Sequence, residues 1–184
     1  MVLTVTSGRR ETLMLVAAGA AAAAAGFAIG PFFLGQRETQ PAAGAKALWD
    51  AKFPDLAGNE RRVADWRGRV LVCNFWATWC PPCVEEIPML KEIRESRQKK
   101  GLEIVGIALD SAEKVRAFAS KLTIDYPVLL ADGAGLSLMR DAGNLAGGLP
   151  YTVIADRAGR WVHQKLGAFR KQELEALVDP LLGA

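Results

Sequence analysis

The chain has 184 residues, about half of them apolar, and a formal net charge of +3. There is no basic stripe, and Lys and Arg mostly alternate with Asp and Glu, as in Lys91-Glu92-Ile93-Arg94-Glu95; this excludes a protein built to neutralise nucleic-acid phosphates. Three cysteines are too few for a disulfide-stapled scaffold, and they read as one working pair, Cys80 and Cys83, with Cys73 alone on an apolar run.

Arg9 and Arg10 precede an uncharged stretch, residues 12–35, rich in Ala and closing with Phe32, Phe33 and Leu34. A charged flank followed by an apolar run marks export. The length is near the ~20 residues of a spanning helix, although Gly26, Gly30 and Pro31 weaken it as a rigid span. The basic flank stays in the cytoplasm, so everything after Gln36 is expected beyond the bacterial inner membrane, in the periplasm. Residues 1–35 are then either a retained anchor or a signal peptide cleaved after Ala43-Gly44-Ala45. The distance of that site from the apolar run favours the anchor. Arg9-Arg10 also partly matches a twin-arginine export signal. Residues 36–47, polar with Pro, Gly and Ala, read as a linker, and residues 48–184 as one folded domain with a single core.

Between 48 and 69, Pro54-Asp55, Gly58-Asn59 and Gly68 punctuate short extended pieces. Residues 70–76 form a continuous apolar run broken only by Asn74, which predicts a central strand buried on both faces. A helix follows over 81–99, with Val84, Ile87, Leu90 and Ile93 on one side and Pro88 inside it. Residues 102–109 are a second buried strand. Asp110 with Glu113 reads as an N-cap signature for the next helix, with Val115, Phe118, Ala119 and Leu122 on its apolar face. A strand over 126–130, a short helix over 135–141, and strands over 151–155 and 161–164 around the Asp156-Arg157-Ala158-Gly159 turn come next. Leu174, Leu177, Val178 and Leu181 mark a last helix. The order predicts an α/β layer fold with a partly parallel, mixed central sheet flanked by helices and closed by an antiparallel hairpin.

The chemistry sits in Trp79-Cys80-Pro81-Pro82-Cys83, where a buried strand becomes a helix. The first Cys lies beside helix N–H groups that have no partner within the helix, and these together with the helix dipole favour a thiolate. The thiolate is the nucleophile of thiol–disulfide exchange. Cys83, on the same first turn, can attack the resulting mixed disulfide and release the product. A zinc site would need a second ligand pair, and only Cys73 and His163 remain. Gly148-Leu149-Pro150 before a strand is a second signal. An X-Pro bond there can be cis, which would leave the Leu149 backbone free to pair with an incoming peptide. Trp79, Pro81, Pro82 and Leu149 are expected to border the groove that takes it.

These residues, running from Phe75-Trp76-Ala77-Thr78 through the Cys pair to Pro88 and Pro150, resemble the thioredoxin superfamily. The export segment and Glu86 resemble its TlpA/ResA branch of membrane-tethered thiol–disulfide oxidoreductases. The resemblance implies a thioredoxin fold, Cys80 as attacking thiol, Cys83 as resolving thiol and Pro150 as the cis proline, with no cofactor or metal beyond the redox-active pair. Thioredoxin carries an Asp where this chain has Asn74, so that acid–base role is vacant. Glu86 matches the carboxylate that the branch keeps near its cysteines, and is expected to be partly buried, raised in pKa by desolvation, and to manage the Cys83 proton. The alternative leaves Glu85 and Glu86 both on the surface. The branch further implies a reductase of cysteine pairs in exported proteins, apocytochrome c or the copper-site proteins of cytochrome oxidase assembly, re-reduced by a membrane electron donor. Alternatives are a thiol oxidase of the same fold and a Sco-type copper carrier. The carrier requires a wider Cys spacing. A peroxiredoxin requires Pro and Thr or Ser where Cys73 and Ala77 stand.

Overall fold

The computed structural model describes residues 42–183. The expected export segment, residues 1–35, and the first part of the expected linker lie outside the described residues. Among the described residues no helix is long and apolar enough to cross a membrane.

A five-stranded sheet organises the domain. Its strands are β3 (Val70–Trp76), β4 (Leu102–Ala108), β5 (Val128–Leu130), β6 (Tyr151–Ala155) and β7 (Trp161–Leu166), ordered β5-β4-β3-β6-β7. β3 pairs parallel with β4, and β4 with β5, while β6 and β7 run antiparallel. Every residue of β3 and β4 is buried, as expected of strands covered on both faces. A short hairpin, β1 (Lys52–Pro54) with β2 (Glu60–Arg62), precedes them. The mixed thioredoxin-type sheet predicted from the sequence is the one observed.

Strand alternation sends the two halves of β3 to different cores. Val70, Val72 and Trp76 face α2 (Pro81–Arg97) and α5 (Lys171–Leu182), packing with Ile87, Leu90, Leu174 and Val178. Leu71, Cys73 and Phe75 face the opposite layer, where α1 (Ala42–Asp50) and α4 (Asp132–Asp141) contribute Leu48, Trp49, Leu138 and Met139. α2 carries its buried side as Cys83, Glu86, Ile87, Leu90 and Ile93 and continues through Pro88.

Two expectations are corrected. Residues 42–47 are not a spacer but the first turns of α1. Ala and Lys are good helix formers, and Gly44 lies where a Cβ would stand 2.1 Å from the Asp141 carbonyl oxygen. Only glycine permits that close approach of α1 to α4. Trp49 then anchors the helix by donating its indole N–H to the Gly159 carbonyl at 3.0 Å. Asp110 is likewise not the cap of α3 (Ala112–Lys121); Ser111 is the N-cap residue, with no side-chain cap bond. Asp110 instead turns toward the loop that follows β3.

Candidate active site

β3 delivers the chain to the site. After Trp76 the backbone bends through Ala77, Thr78 and Trp79, and the Cys80 N–H donates to the Ala77 carbonyl at 3.2 Å. The Thr78 hydroxyl donates to the Asp110 carboxylate, which also accepts the Ser111 N–H at 2.7 Å. Burial works against the ionised Asp110, but these bonds and the Lys114 charge hold its pKa below the ordinary value. A charged acceptor thereby pins the turn in front of the cysteines.

Cys80 is the N-cap residue of α2, and Cys80 and Cys83 form a disulfide. Cys80 is 5% exposed and Cys83 fully buried, while the neighbouring Trp79 is 65% exposed. An incoming thiol can therefore meet only Cys80. The helix start differs from the expectation in one respect. Pro81 and Pro82 supply no N–H, and the N–H groups of Cys83 and Val84 both donate to the Cys80 carbonyl at 3.1 Å. The free donors that were to favour a Cys80 thiolate are thus either absent or engaged, and the helix dipole remains.

The Leu149–Pro150 bond is cis. Tyr151 pairs with Phe75 across β6 and β3, so Pro150 lies beside the end of β3 that leads to Cys80. Pro150 is buried and Leu149 half-buried. The Pro150 carbonyl accepts the Gly167 N–H at 2.8 Å. Pro81 and Pro82 are exposed on the first turn of α2, next to Trp79.

Glu86 is 4% exposed, one turn after Cys83 and on the same helix side. Glu85 next to it is exposed, so the reading that left both on the surface fails for Glu86. Its Oε1 accepts from the Asn74 amide nitrogen at 2.7 Å and its Oε2 from the Phe169 N–H at 3.2 Å. Burial pushes the Glu86 carboxyl up from 4.5 to about 7, with the two hydrogen bonds and the Lys165 charge pulling part of the way back. Its carboxyl therefore changes charge near neutral pH.

Asn74 also donates to the Thr152 hydroxyl at 3.1 Å. By sequence Asn74 is only a missing acid, whereas in the fold it holds the acid that α2 supplies. A polar side chain in an otherwise apolar buried strand requires a partner, and that was the available signal. Cys73 faces the opposite core from Cys83, and burial pushes its thiol up to about 12. It is a core residue. Half-buried His163 packs against the Phe169 ring. Among the described residues no three His, Cys, Asp or Glu side chains cluster as metal ligands would.

A helix-capping cysteine pair with one reachable sulfur, backed by a carboxyl that titrates near neutrality, supports electron exchange between sulfur atoms, and on this sheet it defines a thiol–disulfide oxidoreductase of the thioredoxin superfamily. Comparison with known proteins narrows the class. The chain belongs to the Redoxin family, whose model matches residues 42–179, and within the superfamily it is ResA-like. It is 32% identical over 160 residues to thiol-disulfide oxidoreductase ResA of Geobacillus kaustophilus, covering 86% of this chain and 88% of that one. It is also 32% identical over 134 residues to the thioredoxin-like protein YneN of Bacillus subtilis, covering 71% and 75%. Among solved structures, a thiol:disulfide interchange protein of Chlorobium tepidum superposes with a TM-score of 0.64 at 27% identity, over 72% of this chain and 93% of that one. A secreted thiol-disulfide isomerase of Corynebacterium glutamicum gives 0.67 at 25% identity, over 74% and 86%.

Proposed function

We propose that this oxidoreductase works as a reductase of cysteine pairs in exported proteins, facing the periplasm and held at the inner membrane by residues 1–35. The clients are apocytochrome c before haem attachment or the copper-site proteins of cytochrome oxidase assembly. The observation that supports this most is Glu86, buried one turn from Cys83 and able to take a proton near pH 7.

In the reduced protein the Cys80 thiolate attacks one sulfur of a client disulfide. The client S–S bond breaks, its second sulfur leaves as a thiolate, and a mixed disulfide to Cys80 forms. Cys83 gives its proton to ionised Glu86 and attacks the Cys80 sulfur. The Cys80–Cys83 bond forms and the client leaves with two more electrons than it brought. A membrane electron donor returns the pair to the dithiol. Leu149 and Pro150, with Trp79, Pro81 and Pro82, border the groove in which the client strand lies. Asn74, itself bonded to Thr152, and the Phe169 N–H hold Glu86 in the orientation this transfer needs.

A trapping variant tests the assignment. Cys83→Ala, expressed in the source cell, cannot resolve the mixed disulfide and should retain exported cysteine proteins on Cys80. Recovery of apocytochrome c or a copper-assembly protein supports the reading and selects the pathway. Recovery of cytoplasmic proteins alone overturns it.

A further inference from the structure

Behind Glu86 the sheet carries a row whose outermost member the reaction above leaves unused. Register pairs Asn74 with Thr152 on β6, and Thr152 with Lys165 on β7. The three residues therefore share one row and one face, the face covered by α2 and α5. Lys165 sits on the edge strand, where a lysine ordinarily extends into water. This one does not. Both oxygens of Glu173, in the first turn of α5, accept from its ammonium at 2.6 Å. The ammonium also lies 4.5 Å from the centroid of the Phe169 ring, within cation–π range. Phe169 is the residue whose backbone N–H holds Glu86 Oε2. The cation is thus fixed on a residue that directly contacts the buried carboxylate.

We propose that Lys165 is a positioning residue for the exchange reaction, a cation that Glu173 and the Phe169 ring hold behind the active site to favour the ionised form of Glu86. The assignment rests on the reading of Glu86 as the acceptor of the Cys83 proton. Around Glu86 stand the cysteines one turn back on α2, neutral Asn74 on β3 and the buried Tyr126 hydroxyl ahead of β5, and, at the Phe169 ring, Lys165 with its partner Glu173 and half-buried His163 on β7. Burial and then the Glu86 charge raise the Tyr126 phenol, which stays neutral where Glu86 titrates. The Lys165 charge lowers the Glu86 pKa against the effect of burial.

The test follows the Glu86 side-chain carboxyl by carbon-13 NMR across pH in the oxidised full-length protein, with Glu86→Gln assigning the resonance. Lys165→Met should raise the Glu86 midpoint by roughly 0.5–1 unit, less than a directly paired cation would give, because the ammonium is bonded to Glu173. Lys165→Arg should restore most of it and also reports on folding. His163→Gln, which removes the imidazole packed against the same Phe169 ring, should leave the midpoint in place. A midpoint unmoved in Lys165→Met, or moved equally by His163→Gln, overturns the proposal. In the reduced protein the rising limb of the exchange rate should shift to higher pH by the same amount in Lys165→Met, and this shift should vanish in a Glu86→Gln background. If Glu86→Gln itself leaves the pH profile unchanged while Lys165→Met still moves the NMR midpoint, the proton-acceptor reading fails and takes the role of Lys165 in exchange with it, while the effect of Lys165 on Glu86 ionisation stands.

Discussion

Replacing Glu86 by Gln should make the protein more stable at pH 8 while impairing exchange. The folded Glu86 carboxyl titrates at about 7 against an ordinary 4.5. Each unit is worth ~1.4 kcal/mol, so ionising this carboxyl inside the fold costs about 3 kcal/mol relative to the unfolded chain. The sign follows from proton counting. Between roughly pH 4.5 and 7 the folded state holds a proton that the unfolded state has released, so stability falls as pH rises through that window. Below it the contribution is fully present, and above it is lost. Glutamine does not ionise and removes the slope. Urea denaturation of the oxidised protein at pH 4.5, 6, 7 and 8 measures it, with the disulfide preventing titration of Cys80 and Cys83 and the free thiol of Cys73 common to both proteins. The difference between wild type and Glu86→Gln should grow by about 2–3 kcal/mol across the series. Imperfect pairing of the new amide with Asn74 and Phe169 offsets all points alike. Parallel curves would refute the claim that burial dominates the acidity of this group.

Two other perturbations probe the helix starts. Pro82→His restores a backbone donor and adds a potential cation beside Cys80, so the disulfide should become more oxidising, by at least the ~30 mV that a tenfold change in the glutathione equilibrium represents; an unchanged equilibrium would mean that helix-start donors do not govern this thiolate. Gly44→Ala should lower thermal stability by about 1–3 kcal/mol, because the added methyl meets the Asp141 carbonyl. In a flexible linker the same change would be neutral or slightly stabilising, so a melting temperature equal to or above that of wild type would detach α1 from the fold.

Legibility in the sequence followed the range of the interactions. The strand–turn–helix around Cys80 and Cys83 is local, and 70–76, 81–97 and the hairpin at Asp156 announce themselves through periodicity and turn residues. α1 does not, because Ala, Gly and Pro in 40–47 carry the composition of a tether, and the large side chains that α1 buries, Leu48 and Trp49, come only near its end. Asp110 was misassigned because an acid three residues before another matches a cap, whereas its partner Thr78 lies 32 residues away. Burial of Glu86 was half legible. The stripe Cys83-Glu86-Ile87-Leu90 puts it on the inner face and leaves Glu85 outside. What it meets there comes from 12 residues back in Asn74 and 83 residues ahead at Phe169. No local pattern encodes contacts closed only when the sheet assembles.

Glu86 shares a helix with the sulfur it is proposed to serve. Their spacing is fixed by helical pitch rather than by how the layers settle against each other, so a tilt of α2 on docking a client would carry acid and thiol as one rigid piece. The strand-borne partner Asn74, bonded in turn to Thr152, would be left behind. Client engagement could then loosen the grip on the carboxylate without separating it from Cys83, coupling the arrival of a substrate to the basicity of the group that completes its release.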